Sequence, residues 1–429
     1  MLRSYRFLKV VRHLTLSLRY QSTADKIQAL GPISPALLES TGLIKKALGD
    51  VYFDSLKGDI DFSSCDYLSY SAHPYLNQID GSSIVKHGRI SFNRSSCYNR
   101  HPNSKVTKLE EVISEHAGGH KTIFVNSGTE ANQVAFQVIL QDRPEVPIYL
   151  DKYSHPTMDL GAKAIGRYNS LYFNHCDVDH LRELIRANGP GLVGVDSVYS
   201  AFGTMAPIEK IAQLCKETGC IFLVDESHSY GIYNEDGGGL VKQLGLEDDI
   251  PIRTFSTGKA MGAGGGAVVL NKVAGEYIDD IRKGSNMSIF TLAAQDCLAE
   301  RLIETVKLVK TEKWRRDDLF DKIKYFKESC IELGYNGVLI RDDNTLIPTF
   351  IVGSLDLVLE MNDDFIKEQM FPAPDLYPSA TEKNAAIRFA INHTLTYPQI
   401  NRALNLLKLF RNKYKPETWP DANPNAVLF

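Results

Sequence analysis

Beyond Leu109 the chain alternates between two rhythms. Short apolar runs, "KTIFV", "VPIYLD", "GLVGVD", "CIFLVD" and "PIRTFS", each end on a polar cluster. Between them, "KLEEVISEHAGG", "EANQVAFQVIL" and "PIEKIAQLCKETG" place apolar residues three or four positions apart. The first rhythm predicts buried strands and the second predicts helices, with a glycine cap after the first of them. Strand–helix alternation of this kind argues for a mostly parallel sheet covered on both faces. The polar clusters then lie just after the strands, where open α/β sheets bind ligands. From about Gln295 the rhythm changes to a long charged amphipathic stretch, "AAQDCLAERLIETVKLVKTEKWRRDDLFDKIKYFKESCIELG". Strand-like pieces follow in "TLIPTFIVG" and "NAAIRFAIN", then a last helix, "YPQINRALNLLKLFRNKY". Residues 25–80 combine a helical pattern with "DIDFSSCDYLSY", a short strand and turn.

The expected fold class is therefore α/β, with a large parallel-sheet domain over 81–294 and a smaller C-terminal α+β domain over 295–415. A segment over 25–80 precedes them, and a loose tail over 416–429 follows. The length of 429 residues and the 43% hydrophobic content allow a large core in two or three domains. A net charge of −4 excludes a global basic field for nucleic acid, and no apolar run is long enough to span a membrane. Seven cysteines stand scattered without a CxxC pair, so free thiols are expected rather than a disulfide framework or structural zinc. Residues 1–24 differ in kind: Arg3, Arg6, Lys9, Arg12 and Arg19 punctuate apolar residues, and no acid precedes Asp25. That is the character of a mitochondrial transit peptide, which predicts delivery to the matrix.

One loop concentrates the chemistry: "TFSTGKAMGAGGGAVVL", Thr254 to Leu270. A phosphate-binding loop of the GxxxxGK[ST] type needs a glycine where Arg253 stands and a hydroxyl where Ala260 stands. A dinucleotide fingerprint should open a helix, but "AVVL" after the glycines is strand-like. A purely structural glycine turn is a third reading. The fourth is pyridoxal phosphate, which requires a lysine for its aldehyde and an acid at its ring nitrogen. Lys259 supplies the first. Asp225 in "LVDESHSYG", at the end of an apolar run, supplies the second as a charge-assisted partner. "NSGTEAN", Asn126 to Asn132, lies between a strand and a helix, where backbone N–H groups bind anions or form an ordinary capping box. His155 and Ser200 follow further strands, as a ring-stacking imidazole and a hydroxyl partner, or as plain loop residues.

These pieces, in this order, resemble the α-oxoamine synthase family of fold-type-I pyridoxal phosphate enzymes, over roughly residues 55–405. The resemblance rests on Asp225-Glu226-Ser227-His228-Ser229, Ser256-Thr257-Gly258-Lys259-Ala260, Ser127 to Asn132, and "IRFAINHTLTYPQI". It implies that Lys259 holds the cofactor as a Schiff base and later removes the Cα proton. Asp225 would hold the pyridine nitrogen and His155 stack on the ring. Ser200 and His228 would meet the ring hydroxyl, and Gly128, Thr129 and Ser256 the phosphate. Arg388 would clamp the amino-acid carboxylate, with Asp66 as a further substrate contact, standing where many members carry asparagine. The implied reaction joins an amino acid to an acyl-CoA, giving an α-aminoketone, CoA and CO2, in a homodimer with active sites near its interface. "GPGLVGVDSVYSAFGTMAP" and "GGGLVKQLGL" look most like the synthases of α-hydroxyketone autoinducers, with the 8-amino-7-oxononanoate synthases next. A non-catalytic partner subunit and an aminotransferase of the same fold are the other readings.

Overall fold

The computed structural model describes residues 59–87, 96, 103–140, 143–276, 278, 279, 282, 285–340, 345–376 and 385–420. The chain divides into two units, Met1–Lys57 and Gly58–Phe429. The basic leader, the helical pattern of the 25–80 segment and the tail from 421 lie outside the described residues.

Seven strands form the larger sheet: β2 (Lys121–Val125), β3 (Ile148–Asp151), β4 (Leu171–Phe173), β5 (Leu192–Asp196), β6 (Ile221–Asp225), β7 (Ile252–Ser256) and β8 (Gly266–Leu270). Their order is β2-β8-β7-β6-β5-β3-β4, and only the pairings made by β8 are antiparallel. The five residues of β5 and of β8 are all buried, as expected of strands covered on both faces. After helix α1 (Pro74–His87), helices α2 (Lys105–Ala117), α3 (Gly128–Leu140), α4 (Pro156–Ala164), α5 (Val178–Asn188) and α6 (Ile208–Thr218) supply the cover. The glycine cap after "KLEEVISEHA" is present: Gly118 adopts φ 69° and closes α2.

A second sheet has the order β1 (Ile60–Phe62), β10 (Met370–Asp375), β11 (Ala386–Arg388), β9 (Thr349–Ile351). Ile60 to Phe62 pair in parallel with Met370 to Pro372, so a strand at the start of the described chain completes a sheet otherwise built from its end. The long amphipathic stretch is not one helix. It breaks at Glu312, whose φ −98° and ψ 49° leave the helical region, into α7 (Asp296–Thr311) and α8 (Lys313–Cys330). Helices α9 (Leu355–Lys367) and α10 (Tyr397–Tyr414) complete this part; Thr396 and Gln399 close a reciprocal capping box on α10. Three-residue β4, with Tyr172 half-exposed, gave no periodic signal in the sequence.

Candidate active site

The parallel strands deliver their last residues to one edge. Asp151, Asp196, Asp225 and Ser256 end β3, β5, β6 and β7, and Asp196 sits opposite Asp225 in register. Asp225 is 5% exposed and does not stand alone. Asn132 Nδ2 donates to its Oδ2 at 2.9 Å, and the Ser227 amide to its Oδ1 at 2.8 Å. Thr254 Oγ1 donates to Asn132 Oδ1 at 2.6 Å, so neighbouring β7 and the second turn of α3 together fix the acid's orientation. Burial, and then the charge of Asp225, push the Asp196 carboxyl well above the ordinary range. Asp196 receives the amide of His155, which caps the N-terminus of α4 by accepting from Thr157. Burial and the neighbouring Lys259 lower the His155 pKa, against the pull of Asp225. A neutral imidazole beside the acid results.

Lys259 follows β7 in a loop that returns as β8. Gly265 makes the return possible: its φ of 134° is open to glycine, and an added Cβ would lie 2.4 Å from the Phe124 ring. Lys259 Nζ lies 2.6 Å from His228 Nε2, and His228 Nδ1 lies 2.8 Å from the Tyr67 hydroxyl. Burial lowers the Lys259 amine pKa; Cys65, Asp225 and Asp196 oppose that fall and Arg388 adds to it. Burial, reinforced by Lys259, lowers His228 further, so its ring stays neutral. The Tyr67 hydroxyl is pushed far up by burial and keeps its proton. The chain Tyr67–His228–Lys259 closes in either histidine tautomer. One accepts from a lysine ammonium; the other donates to a free amine.

The segment "NSGTEAN" opens helix α3, as its position between a strand and a helix predicts. Ser127's hydroxyl and carbonyl take the N–H groups of Glu130 and Ala131, leaving Gly128 and Thr129 at the helix opening without intrahelical acceptors. Thr129 is exposed there. A Cβ on Gly128 would come within 2.8 Å of Ser256 Cβ, so the glycine backbone lies directly against β7. Ser256's own amide is held by Ser227 Oγ at 2.9 Å, and its hydroxyl accepts from Gly258 N at 3.2 Å. A helix opening, a glycine in contact with a serine, a buried acid and a lysine of lowered pKa fit pyridoxal phosphate.

Arg388 reaches this edge from the second sheet. Its Nη1 donates to the Ser200 carbonyl at 2.7 Å, so Ser200 meets the site through its backbone. Asp66, which the resemblance implies as a further substrate contact, is engaged locally in this structure. Its carboxylate accepts the amides of Tyr70 and Ser71, each at 3.1 Å, and caps the short helical turn over 70–72. A carboxylate one residue after a cysteine gave no sign of that local use. Its neighbour Cys65 lies beside Tyr67 and within electrostatic reach of both Lys259 and Arg388. The sequence reading also missed a network under the Ser200 loop. His175 Nδ1 pairs with Asp151 at 2.9 Å and its Nε2 with Thr204 at 2.7 Å, tying β3 to that loop. Cys176 shares the cluster, but the Asp151 and His175 side chains are already engaged by protein partners.

The family model for aminotransferase class I and II matches residues 60–356. The chain belongs to this family. Among curated relatives, the CAI-1 autoinducer synthase of Vibrio campbellii is 29% identical, over 81% of this chain and 86% of its own. The 8-amino-7-oxononanoate synthase of Vibrio cholerae is 25% identical, over 82% and 90%. Among solved structures, serine palmitoyltransferase from S. paucimobilis superposes with a TM-score of 0.80 at 18% identity, over 92% of this chain and 100% of that one. Within the aminotransferase class I and II family, the chain is an α-oxoamine synthase, a pyridoxal phosphate enzyme that condenses an amino acid with an acyl-CoA. Lys259, Asp225, His155 and Arg388 are the candidate residues gathered at or beside the strand edge. No described helix is long and apolar enough to cross a membrane.

Proposed function

We propose that this α-oxoamine synthase joins a small amino acid to a medium-chain acyl-CoA, as its resemblance to the autoinducer synthases implies, and that it works as a homodimer in the mitochondrial matrix. The observation that carries the chemistry is the 2.6 Å contact between Lys259 Nζ and His228 Nε2, inside a wall that also holds Asp225 and Arg388. Bound at Lys259, pyridoxal phosphate supplies an electron sink for the Cα electron pair. Asp225, held by Asn132 and Ser227, offers a fixed anion to the ring nitrogen. Neutral His155 offers an uncharged face beside it. The α3 opening and Ser256 hold the phosphate. Arg388 positions the amino-acid carboxylate, and Lys259, with its proton affinity reduced by burial, serves as the base at Cα. His228 and Tyr67 receive or return the proton along the hydrogen-bonded chain.

The test begins with the purified protein's visible absorbance. The wild type should show the band of a lysine-linked cofactor, bleached by borohydride, and Lys259→Ala should lack it. An identical band in both proteins would remove Lys259 from its role. Release of free CoA is then measured with a panel of acyl-CoAs against glycine, alanine, serine and 2-aminobutyrate. Formation of a keto acid without CoA release with any pair would favour transamination. Residues 1–24 fused to a fluorescent reporter test the compartment: a cytosolic signal would exclude matrix delivery by this leader.

A further inference from the structure

Two buried polar atoms beside the site, Arg388 Nε and Asp375 Oδ2, have no hydrogen-bond partner among the described residues. They are neighbours by sheet geometry. Asp375 pairs with Ala386 in the β10–β11 register, and Arg388 lies two residues further along the same face, the diagonal position. Arg388 Nη1 is 3.8 Å from Asp375 Oδ2, an ion pair too long to be a hydrogen bond. Asp375 is 7% exposed, and its free oxygen stands beside the guanidinium that the proposed function assigns to the substrate carboxylate. An ionised Asp375 would repel that carboxylate. A protonated one would add an O–H donor next to Arg388.

We propose that Asp375 is a further binding residue of the amino-acid pocket, which holds the substrate carboxylate jointly with Arg388 as the neutral acid, so that amino-acid binding takes up one proton. The proton comes from solvent and rests on Asp375 Oδ2; no covalent bond changes. The surroundings support this state. Burial pushes the Asp375 carboxyl up to about 6 in the absence of substrate, against the pull of Arg388. From β11 the facing charge is Arg388 alone. From β1, Asp61 is occupied by Ser63 and Ser64. On α9, Glu360 and Asp364 pair with Lys413 and Lys367, Asp356 is exposed at the first turn, and Asp363 is half-buried. A second anion beside Asp375 raises its pKa further, so affinity is highest below about pH 6 and falls as pH rises through the free-state value.

This inference rests on the proposed function, and its test separates the two. Glycine, L-alanine and L-serine are titrated into cofactor-loaded protein between pH 5.5 and 8.5, and dissociation constants are read from the cofactor's absorbance. Wild type, Asp375→Asn and Asp375→Ala are compared, with circular dichroism as the folding check. The amine and the cofactor linkage titrate equally in all three, so the difference between them isolates Asp375. Relative to Asp375→Asn, the wild type should lose affinity by up to about tenfold per pH unit above pH 6. Asp375→Asn retains a donor and should bind more tightly than the wild type at pH 8. Asp375→Ala should bind more weakly than the wild type at pH 5.5. Parallel pH profiles in wild type and Asp375→Asn would overturn the inference while leaving the enzyme's function intact. Absence of any absorbance change with every amino acid would instead overturn the proposed function.

Discussion

Tyr67, His228 and Lys259 are joined by two contacts, 2.8 and 2.6 Å long. Replacing Tyr67 by Phe leaves the buried His228 Nδ1 without its partner, at a cost of about 1–2 kcal/mol. The expected outcome is a fall in kcat/KM of about tenfold or more, with the cofactor band retained. An unchanged rate and an unchanged pH–rate profile would show that the chain carries no proton. Arg388 makes a second residue-scale prediction. A planar guanidinium binds a carboxylate at two points while also holding the Ser200 carbonyl, and an ammonium cannot do both. Arg388→Lys should raise the amino-acid KM by about tenfold or more, the worth of a charge-assisted hydrogen bond, and leave the acyl-CoA KM nearly unchanged. A rise confined to the acyl-CoA KM would assign Arg388 to the other substrate.

At the scale of elements, the strand edge depends on a brace beneath it. Glu226, directly after β6, pairs with Arg253 of β7 at 3.3 Å, with both side chains 1% exposed or less. Arg253 also donates to the Ala117 carbonyl at the end of α2, and Glu226 Oε1 accepts the Val241 amide. Glu226→Ala would strand a buried guanidinium and should destabilise the fold by about 3–5 kcal/mol, read as a shift in the denaturant midpoint. A loss below ~1 kcal/mol would mean that water reaches Arg253. The "DESHS" motif was legible in the sequence as chemistry for Asp225 and His228, but the structural work of Glu226 was not. Its partner stands 27 residues away and meets it only because β6 and β7 are adjacent and parallel. Asp66 has a local use that its chain position did not show: two backbone amides four and five residues ahead donate to its carboxylate.

For the whole molecule, the exposed apolar side chains near the anion loop matter most. Phe290 is 82% exposed and Leu292 58%, and the Leu292 carbonyl accepts from Asn126 at the loop that opens α3. Large apolar groups exposed beside a binding loop fit an interface between subunits. Phe290→Asp should therefore convert a dimer to a monomer in light scattering and weaken cofactor retention. A monomeric wild type, or a variant that remains dimeric with full cofactor, would place the interface elsewhere.

The sequence by itself determined the alternation of strands and helices, the lysine loop, the acid at the end of β6 and the helix opening at α3. Each of those is encoded within a dozen contiguous residues, as periodicity, a cap or a turn. Tertiary structure alone decided which residues share the site. Cys65 and Tyr67, Asp375 and Arg388 come from the two ends of the chain, brought together where β1 and β11 flank β10. Strand pairing between segments some 300 residues apart leaves no local pattern to read, because register is set by which faces the folded core buries.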